Sequence, residues 1–286
     1  MIDQAQKLRD LMNKIQDISS SARVITVTSG KGGVGKTSFS VNLAIALIQR
    51  GLRVLVVDAD FGLSNIDVML GINSPYDLSH VIRNSVDVSK VVLNGPGGIQ
   101  FISGGSGVDD LVNINGRQLD VLIENLVKLE NIADFIIFDT GAGVSDRVIK
   151  MVTAVNEVIL ITTPEPTAVM DAYALVKMVS KSDEAPKFNL IMNKANSSEE
   201  AYSIMNSLTE IIKKYTKIQV TPMGYIVYDQ AAFRAVKQQV PYIISYPKCK
   251  AAQNIGIIAD KLLGTYVQDK KRGGIRQFIA KLARSN

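Results

Sequence analysis

Ser29-Gly30-Lys31-Gly32-Gly33-Val34-Gly35-Lys36-Thr37-Ser38 is the stretch on which the reading of this chain turns. It follows the β-branched run Val24-Ile25-Thr26-Val27-Thr28 and leads into a segment carrying Phe39, Leu43, Ala46 and Leu47 on one helical face. A strand, a glycine loop and a helix in that order are the setting of a phosphate-binding loop. Gly30, Gly35, Lys36 and Thr37 fit its G-x-x-x-x-G-K-[ST] spacing. The glycines, Gly32 and Gly33 among them, let backbone N–H groups of the loop, through Val34 to Ser38, turn inward around phosphate oxygens. The next helix adds its positive end. Lys36 is placed to reach the β- and γ-phosphates, and the Thr37 hydroxyl to ligate Mg²⁺.

The 286 residues allow one large α/β domain with short appendages, and a hydrophobic content of 47% is ample for its core. No apolar run is long enough for a transmembrane helix. The first residues, Met1-Ile2-Asp3-Gln4, show no basic region followed by an apolar core, so no secretory signal is expected. One cysteine, Cys249, excludes an internal disulfide framework and a multi-cysteine metal site within one chain, and fits a reducing cytoplasm. One histidine, His80, excludes His-based triads and His-rich metal sites. The net charge of +5 points to an acidic partner surface, lipid or nucleic acid, and basic residues crowd the end of the chain from Lys261 onward.

From Val24 onward, short apolar runs alternate with helical patterns. Strands are expected at 24–29, 53–58, 99–103, 134–139, 157–162, 188–193 and 223–227. Helices are expected at 36–50, 115–130, 145–155, 168–181, 198–214 and 250–263. Runs such as Val54-Leu55-Val56-Val57 and Phe135-Ile136-Ile137-Phe138 are the mark of parallel strands covered on both faces. The fold class is therefore α/β, a doubly wound, mostly parallel sheet with helices on both sides. Its ligand belongs at the carboxyl ends of the strands. Asn94-Gly95-Pro96-Gly97-Gly98 reads as a plain turn before a strand.

The other chemistry-bearing residues fall at those ends. The second strand runs into Asp58-Ala59-Asp60-Phe61-Gly62, where a carboxylate can hold the Mg²⁺ water shell, orient a water, or simply cap a turn. The strand Phe135–Phe138 runs into Asp139-Thr140-Gly141-Ala142-Gly143, a Walker B arrangement. Asp139 reaches Mg²⁺, usually through water, and Gly141 and Gly143 permit a loop shift when a γ-phosphate is present. Asn193 and Tyr228 end two later strands. Asn193 suits the N6–H and N7 edge of adenine, with a plain turn residue as the alternative, and Tyr228 can stack on a base.

Lys31 is a charge that the plain loop does not require, and by itself it reads as a solvated surface lysine. With it, GKGGVGKT resembles the deviant Walker A of the MinD/ParA family of ATPases. The resemblance implies ATP and Mg²⁺ as ligands and a homodimer enclosing two ATPs. It also implies that Lys31 crosses to the partner's nucleotide, as an arginine finger does. It makes the Asp58–Asp60 segment switch I, with Asp60 positioning the attacking water while Asp58 is left as the candidate for the Mg²⁺ shell, and the Asp139–Gly143 segment switch II. It assigns Asn193 to the adenine edge and the loop at Tyr228 to closure over the base, although many relatives have proline at that position.

Both ends refine this reading. Residues 1–18 form an amphipathic helical pattern and 19–23 a linker. The core is expected at 24–266 and an amphipathic tail at 267–286. In the tail, Ile275, Phe278, Ile279 and Leu282 share a stripe bordered by Arg276 and Lys281. That stripe can pack on the domain, lie on an anionic bilayer, or do each in turn. MinD-type members carry such a membrane-targeting helix. Asp3-Gln4-Ala5-Gln6-Lys7-Leu8-Arg9 resembles the D-Q-A-x-x-L-R signature of the flagellar branch of the family. In that branch the motif stimulates FlhF, a signal-recognition-particle-type GTPase. Asp3, Gln4, Ala5, Leu8 and Arg9 would carry that output. The branch further implies contact with flagellar switch proteins of the FliM, FliN or FliY type and a cytoplasmic protein peripheral on the membrane's inner face. A division-site MinD would begin close to its first strand. A ParA-like DNA segregator would need basic residues without the apolar stripe, so nucleic acid is not expected. A reductase of the nitrogenase-iron-protein type would need two cysteines per chain.

Overall fold

A computed structural model describes residues 22–60, 65–82, 86–104, 125, 128–130, 132–182, 185–266 and 274–284. In chain order the elements are β1 (Arg23–Ser29), α1 (Lys36–Ile48), β2 (Val54–Ala59), α2 (Asn65–Leu70), α3 (Leu78–Ile82), β3 (Leu93–Asn94), β4 (Gln100–Ile102) and β5 (Phe135–Ala142). Then come α4 (Asp146–Ala154), β6 (Glu157–Thr162), α5 (Pro166–Val179), β7 (Lys187–Ala195), α6 (Ser198–Tyr215) and β8 (Val220–Val227). Helices α7 (Gln230–Lys237), α8 (Tyr242–Ser245), α9 (Lys250–Tyr266) and α10 (Ile275–Arg284) follow. The strands form one sheet in the order β3-β4-β2-β5-β1-β6-β7-β8. Every pairing is parallel except that of β3 with β4.

Both faces of the central strands are covered, which is why their sequences are apolar without alternation. The pleat still sorts neighbours to opposite sides. Val24 joins the core under α4, α5, α6 and α10, and Ile25 and Val27 join the core under α1, α7 and α9. One charge pair is sealed in at the start of β1. Arg23 donates to both oxygens of Glu157, at 2.9 and 2.6 Å, and to the Leu262 carbonyl at 2.8 Å. Pairing of this kind is what makes a buried guanidinium tolerable.

The differences from the sequence reading have local causes. β5 continues past Asp139 because Thr140 pairs with Ala59 and Ala142 with Ser29. The Asn94–Gly98 stretch is more than a turn: Leu93 and Asn94 pair antiparallel with β4, and Pro96–Gly98 is a 3₁₀ turn. Helices α2, α3, α7 and α8 were not expected. Each is too short to show a periodic pattern. The expected linker 19–23 ends inside the core, since Ala22 and Arg23 are buried. Residues 1–21, and with them the whole expected N-terminal helix, lie outside the described residues, as does most of the helix expected at 115–130.

The tail is docked. Ile275, Phe278 and Ile279 are buried and Leu282 packs against them from the side. The Phe278 ring stacks on Phe138 with centroids 4.4 Å apart. Glu130 Oε1 accepts the Ile275 N–H at 2.7 Å, closing the first turn of α10. Lys281 Nζ donates to Asn156 Oδ1 at 3.3 Å. The Arg276 side chain lies outside the described residues. Among the described residues no helix is long and apolar enough to cross a membrane.

Candidate nucleotide site

The glycine loop joins β1 to α1 at the carboxyl end of the sheet and lines a cavity of about 550 Å³. Lys31, Gly32, Gly33, Ser38, Asp60, Asn193 and Tyr228 also reach that cavity. Gly35 has φ +92°, in the left-handed region, and a Cβ there would meet the Asn193 amide. At Gly30 a Cβ would collide with the backbone carbonyl of Asp171 on α5, so that helix lies hard against the start of the loop.

Two side chains from the end of β7 hold the loop from the other side. Asn193 Nδ2 donates to the Val34 carbonyl at 2.7 Å, and Lys194 Nζ donates to the Gly33 carbonyl at 2.7 Å. Lys194 has φ +58°, a strained value for a residue with a side chain, at a register shift in the β7–β8 pairing. Asn193 Oδ1 also accepts the Lys194 N–H at 3.0 Å, and the side chain lines the cavity. Tyr228 stands at the rim, 60% exposed, with its N–H on the Ala195 carbonyl at 2.8 Å. Asp229 beside it caps α7 through the Ala231 N–H at 2.8 Å.

The two loop lysines occupy opposite environments. Lys36 is buried, with Nζ 3.6 Å from Asp139 Oδ1. Lys31 is partly exposed, and its Nζ contacts Glu165 Oε2 at 2.9 Å and Thr167 Oγ1 at 2.8 Å. The Lys31 ammonium holds the Glu165 carboxyl below its ordinary range.

Asp139 is fully buried, and burial pushes its carboxyl upward against the pull of Lys36 and the hydroxyls of Thr37 and Ser40. Ser40 Oγ donates to Oδ1 at 2.9 Å. Oδ2 has no hydrogen-bond partner among the described residues. A sealed, unpaired carboxylate oxygen close to the Thr37 hydroxyl fits Mg²⁺, which takes hard oxygen ligands and keeps several waters. Thr37 and Asp139 are the residues present that would hold the metal side of a nucleotide site. Asp58 Oδ1 accepts the Asp60 N–H at 3.0 Å and its Oδ2 the Ile66 N–H at 3.2 Å, so it ties Asp60 to the start of α2. Burial first, and the Asp139 charge second, push its carboxyl up to about 7.

Asp60 lines the cavity, and its Oδ2 accepts from Asn65 Nδ2 at 2.8 Å. Gly141 faces Asp60 across the site, and Gly143, at φ +96°, donates its N–H to the Ser29 carbonyl at 2.9 Å. The residues missed in the sequence are Ser40, Asn65, Glu165, Thr167 and Lys194. Ser40 was findable, being one helical turn after Lys36 and so on the same face. The site brings Gly30 to Ser38, Asp58, Asp60, Asp139, Gly141, Gly143, Asn193 and Tyr228 to one end of the sheet. Asp3, Gln4, Ala5, Leu8 and Arg9 lie outside the described residues.

Comparison with known proteins agrees with this geometry. The ParA family model, described as NUBPL iron-transfer P-loop NTPase, matches residues 20–263. The antiactivator FleN of Pseudomonas aeruginosa is 35% identical over 91% of this chain and 93% of its own length. The flagellum site-determining protein YlxH of Helicobacter pylori is 30% identical over 99% of this chain and 98% of its own. The crystallised septum site-determining protein MinD with Mg-ADP from Pyrococcus horikoshii superposes with a TM-score of 0.68 at 26% identity, covering 85% of this chain and 98% of that one. A phosphate loop with two lysines in different environments and a buried aspartate beside it on a doubly wound sheet lead to the same place as these relatives: the chain belongs to the MinD/ParA family of P-loop ATPases and is of the FlhG type.

Proposed function

We propose that the chain is a slow, switch-type ATPase that dimerises on ATP, binds the inner face of the cytoplasmic membrane through its tail, and regulates flagellar number or placement. The observation that carries the dimer is the division between the two loop lysines. Lys36 takes the buried place beside Asp139, while Lys31 is held by exposed residues at the mouth. A lysine in that position is free to exchange Glu165 and Thr167 for the phosphates of a second copy.

Within one site, the loop N–H groups and Lys36 bind and orient the triphosphate, and Asn193 and Lys194 hold the loop in shape. Mg²⁺, when bound through Thr37 and Asp139, supplies charge stabilisation of the phosphates. Asp60 accepts a hydrogen bond from the attacking water and aligns it. Lys31 of the second copy adds positive charge where it develops during transfer. The ATPase then acts as a timer, and turnover is expected to be low.

The flagellar role rests on the likeness to FleN and YlxH over nearly the whole chain. The D-Q-A-x-x-L-R stretch at Asp3–Arg9 supports an FlhF-type GTPase as the partner it stimulates. Contact with switch proteins of the FliM, FliN or FliY type belongs to the same reading. Because one apolar face cannot serve core and bilayer together, membrane contact in this reading requires release of the docked α10.

Size-exclusion chromatography with light scattering tests the dimer. Asp60→Ala with ATP and Mg²⁺ is expected to run as a stable dimer, and with ADP as a monomer. A monomer in both nucleotides rejects the proposal.

A further inference from the structure

We infer that Asn65 is a positioning residue for hydrolysis, holding the Asp60 carboxylate in the orientation that aligns water. The inference deepens the role given above to Asp60 and rests on it.

Switch I leaves the sheet after Ala59 and returns as α2 at Asn65. The buried carboxylate of Asp58 fixes both ends, taking the Asp60 N–H on one oxygen and the Ile66 N–H on the other. The backbone of Asp60 is thereby set, but its side chain is not. Asn65 supplies the missing restraint by donating Nδ2 to Asp60 Oδ2 at 2.8 Å. The other oxygen, Oδ1, lies against Gly141, where an added Cβ would stand 3.0 Å away. One oxygen is therefore held by an amide and the other faces the end of β5, next to Asp139. Asp60 and Asn65 both line the cavity that holds Lys36 and Thr37.

The residue type suits the task. An amide donates without charge, so Asp60 keeps its strength as an acceptor. A lysine there would draw the carboxylate into an ion pair, and a second carboxylate would repel it. Correct alignment of a water is worth orders of magnitude in rate, and a small misplacement loses much of that.

Single-turnover ATP hydrolysis is measured for the full chain, Asn65→Ala, Asn65→Asp, Asp60→Ala and the Asp60→Ala/Asn65→Ala pair, beside ATP affinity and melting. Asn65→Ala is expected to hydrolyse about 10–100-fold more slowly, with ATP affinity and melting unchanged. Asn65→Asp, which sets a second carboxylate against Asp60, is expected to hydrolyse as slowly as Asn65→Ala or more slowly. Adding Asn65→Ala to Asp60→Ala is expected to cost nothing more. Wild-type hydrolysis by Asn65→Ala beside an inactive Asp60→Ala overturns the role of Asn65 and leaves that of Asp60 standing. Wild-type hydrolysis by Asp60→Ala removes the reading on which the inference rests. An additive loss in the double variant, or wild-type hydrolysis by Asn65→Asp, also overturns it.

Discussion

The Phe278 ring of the tail lies on the Phe138 ring of β5, with centroids 4.4 Å apart and planes inclined by 27°. Phe138 is the residue immediately before Asp139, so the tail docks one residue from the buried carboxylate beside Lys36. The pleat sends the two side chains to opposite sides of the strand. Nucleotide site and tail thus share one strand. Burying Ile275, Phe278 and Ile279 stabilises the docked state by roughly 1.5–3 kcal/mol each. A bilayer offers the same residues a comparable refuge, and the basic rim an anionic surface.

That balance makes the anchoring of α10 a sensitive point. Glu130→Ala removes the acceptor of the Ile275 N–H, a charged hydrogen bond worth about 1–2 kcal/mol net. Binding of the ADP-loaded variant to anionic vesicles is expected to rise roughly 5–30-fold, read by sedimentation. Unchanged binding in ADP would mean that docking does not limit membrane contact.

Lys31 can be separated from Lys36 by substitution. Lys31→Ala leaves the buried Lys36–Asp139 pair intact, so the monomer is expected to keep its ATP affinity. Hydrolysis is expected to fall roughly 10³-fold, the scale of a lost arginine finger, and the ATP dimer to disappear from sedimentation velocity. A Lys31→Ala chain that dimerises and turns over normally contradicts a role in trans.

Gly141 provides a test of contact between the two switch segments. Its backbone is not left-handed, so alanine is tolerated there, but the new methyl would press on Asp60 Oδ1 at 3.0 Å. Gly141→Ala is expected to slow hydrolysis about tenfold or more with ATP affinity kept, measured by single turnover and equilibrium titration. A weakened ATP affinity with normal single-turnover hydrolysis would place the clash elsewhere.

Removal of residues 1–20 isolates the output to a GTPase. β1 and the glycine loop remain, so nucleotide binding is expected to persist while stimulation of an FlhF-type GTPase is abolished. Gln4→Ala and Arg9→Ala in the full chain are expected to reproduce that loss. Full stimulation by the shortened chain would move the output to the core.

The sequence was most informative where the chemistry is local. Gly30 to Ser38 carry their meaning in nine consecutive positions, and Asp139 is marked by the apolar run that precedes it. It was least informative where a partner comes from far along the chain. Lys31 meets Glu165, 134 residues away, and Val34 meets Asn193, 159 residues away. Asp58 was legible as a carboxylate at a strand end. Its use as a tie for two backbone N–H groups was not, because that depends on how switch I folds back. The tail shows the same limit in another form: the spacing of Ile275, Phe278, Ile279 and Leu282 reveals an apolar stripe but not what covers it.

The central claim is that nucleotide state decides whether that stripe faces the core or a membrane. Its most direct test is sedimentation with anionic vesicles, using the full chain and a chain ending at Arg272, each with ATP or ADP. The full chain with ATP is expected to pellet with the vesicles, while the full chain with ADP and the shortened chain with either nucleotide stay in solution. Equal binding by the two chains, or by the two nucleotide states, would contradict it.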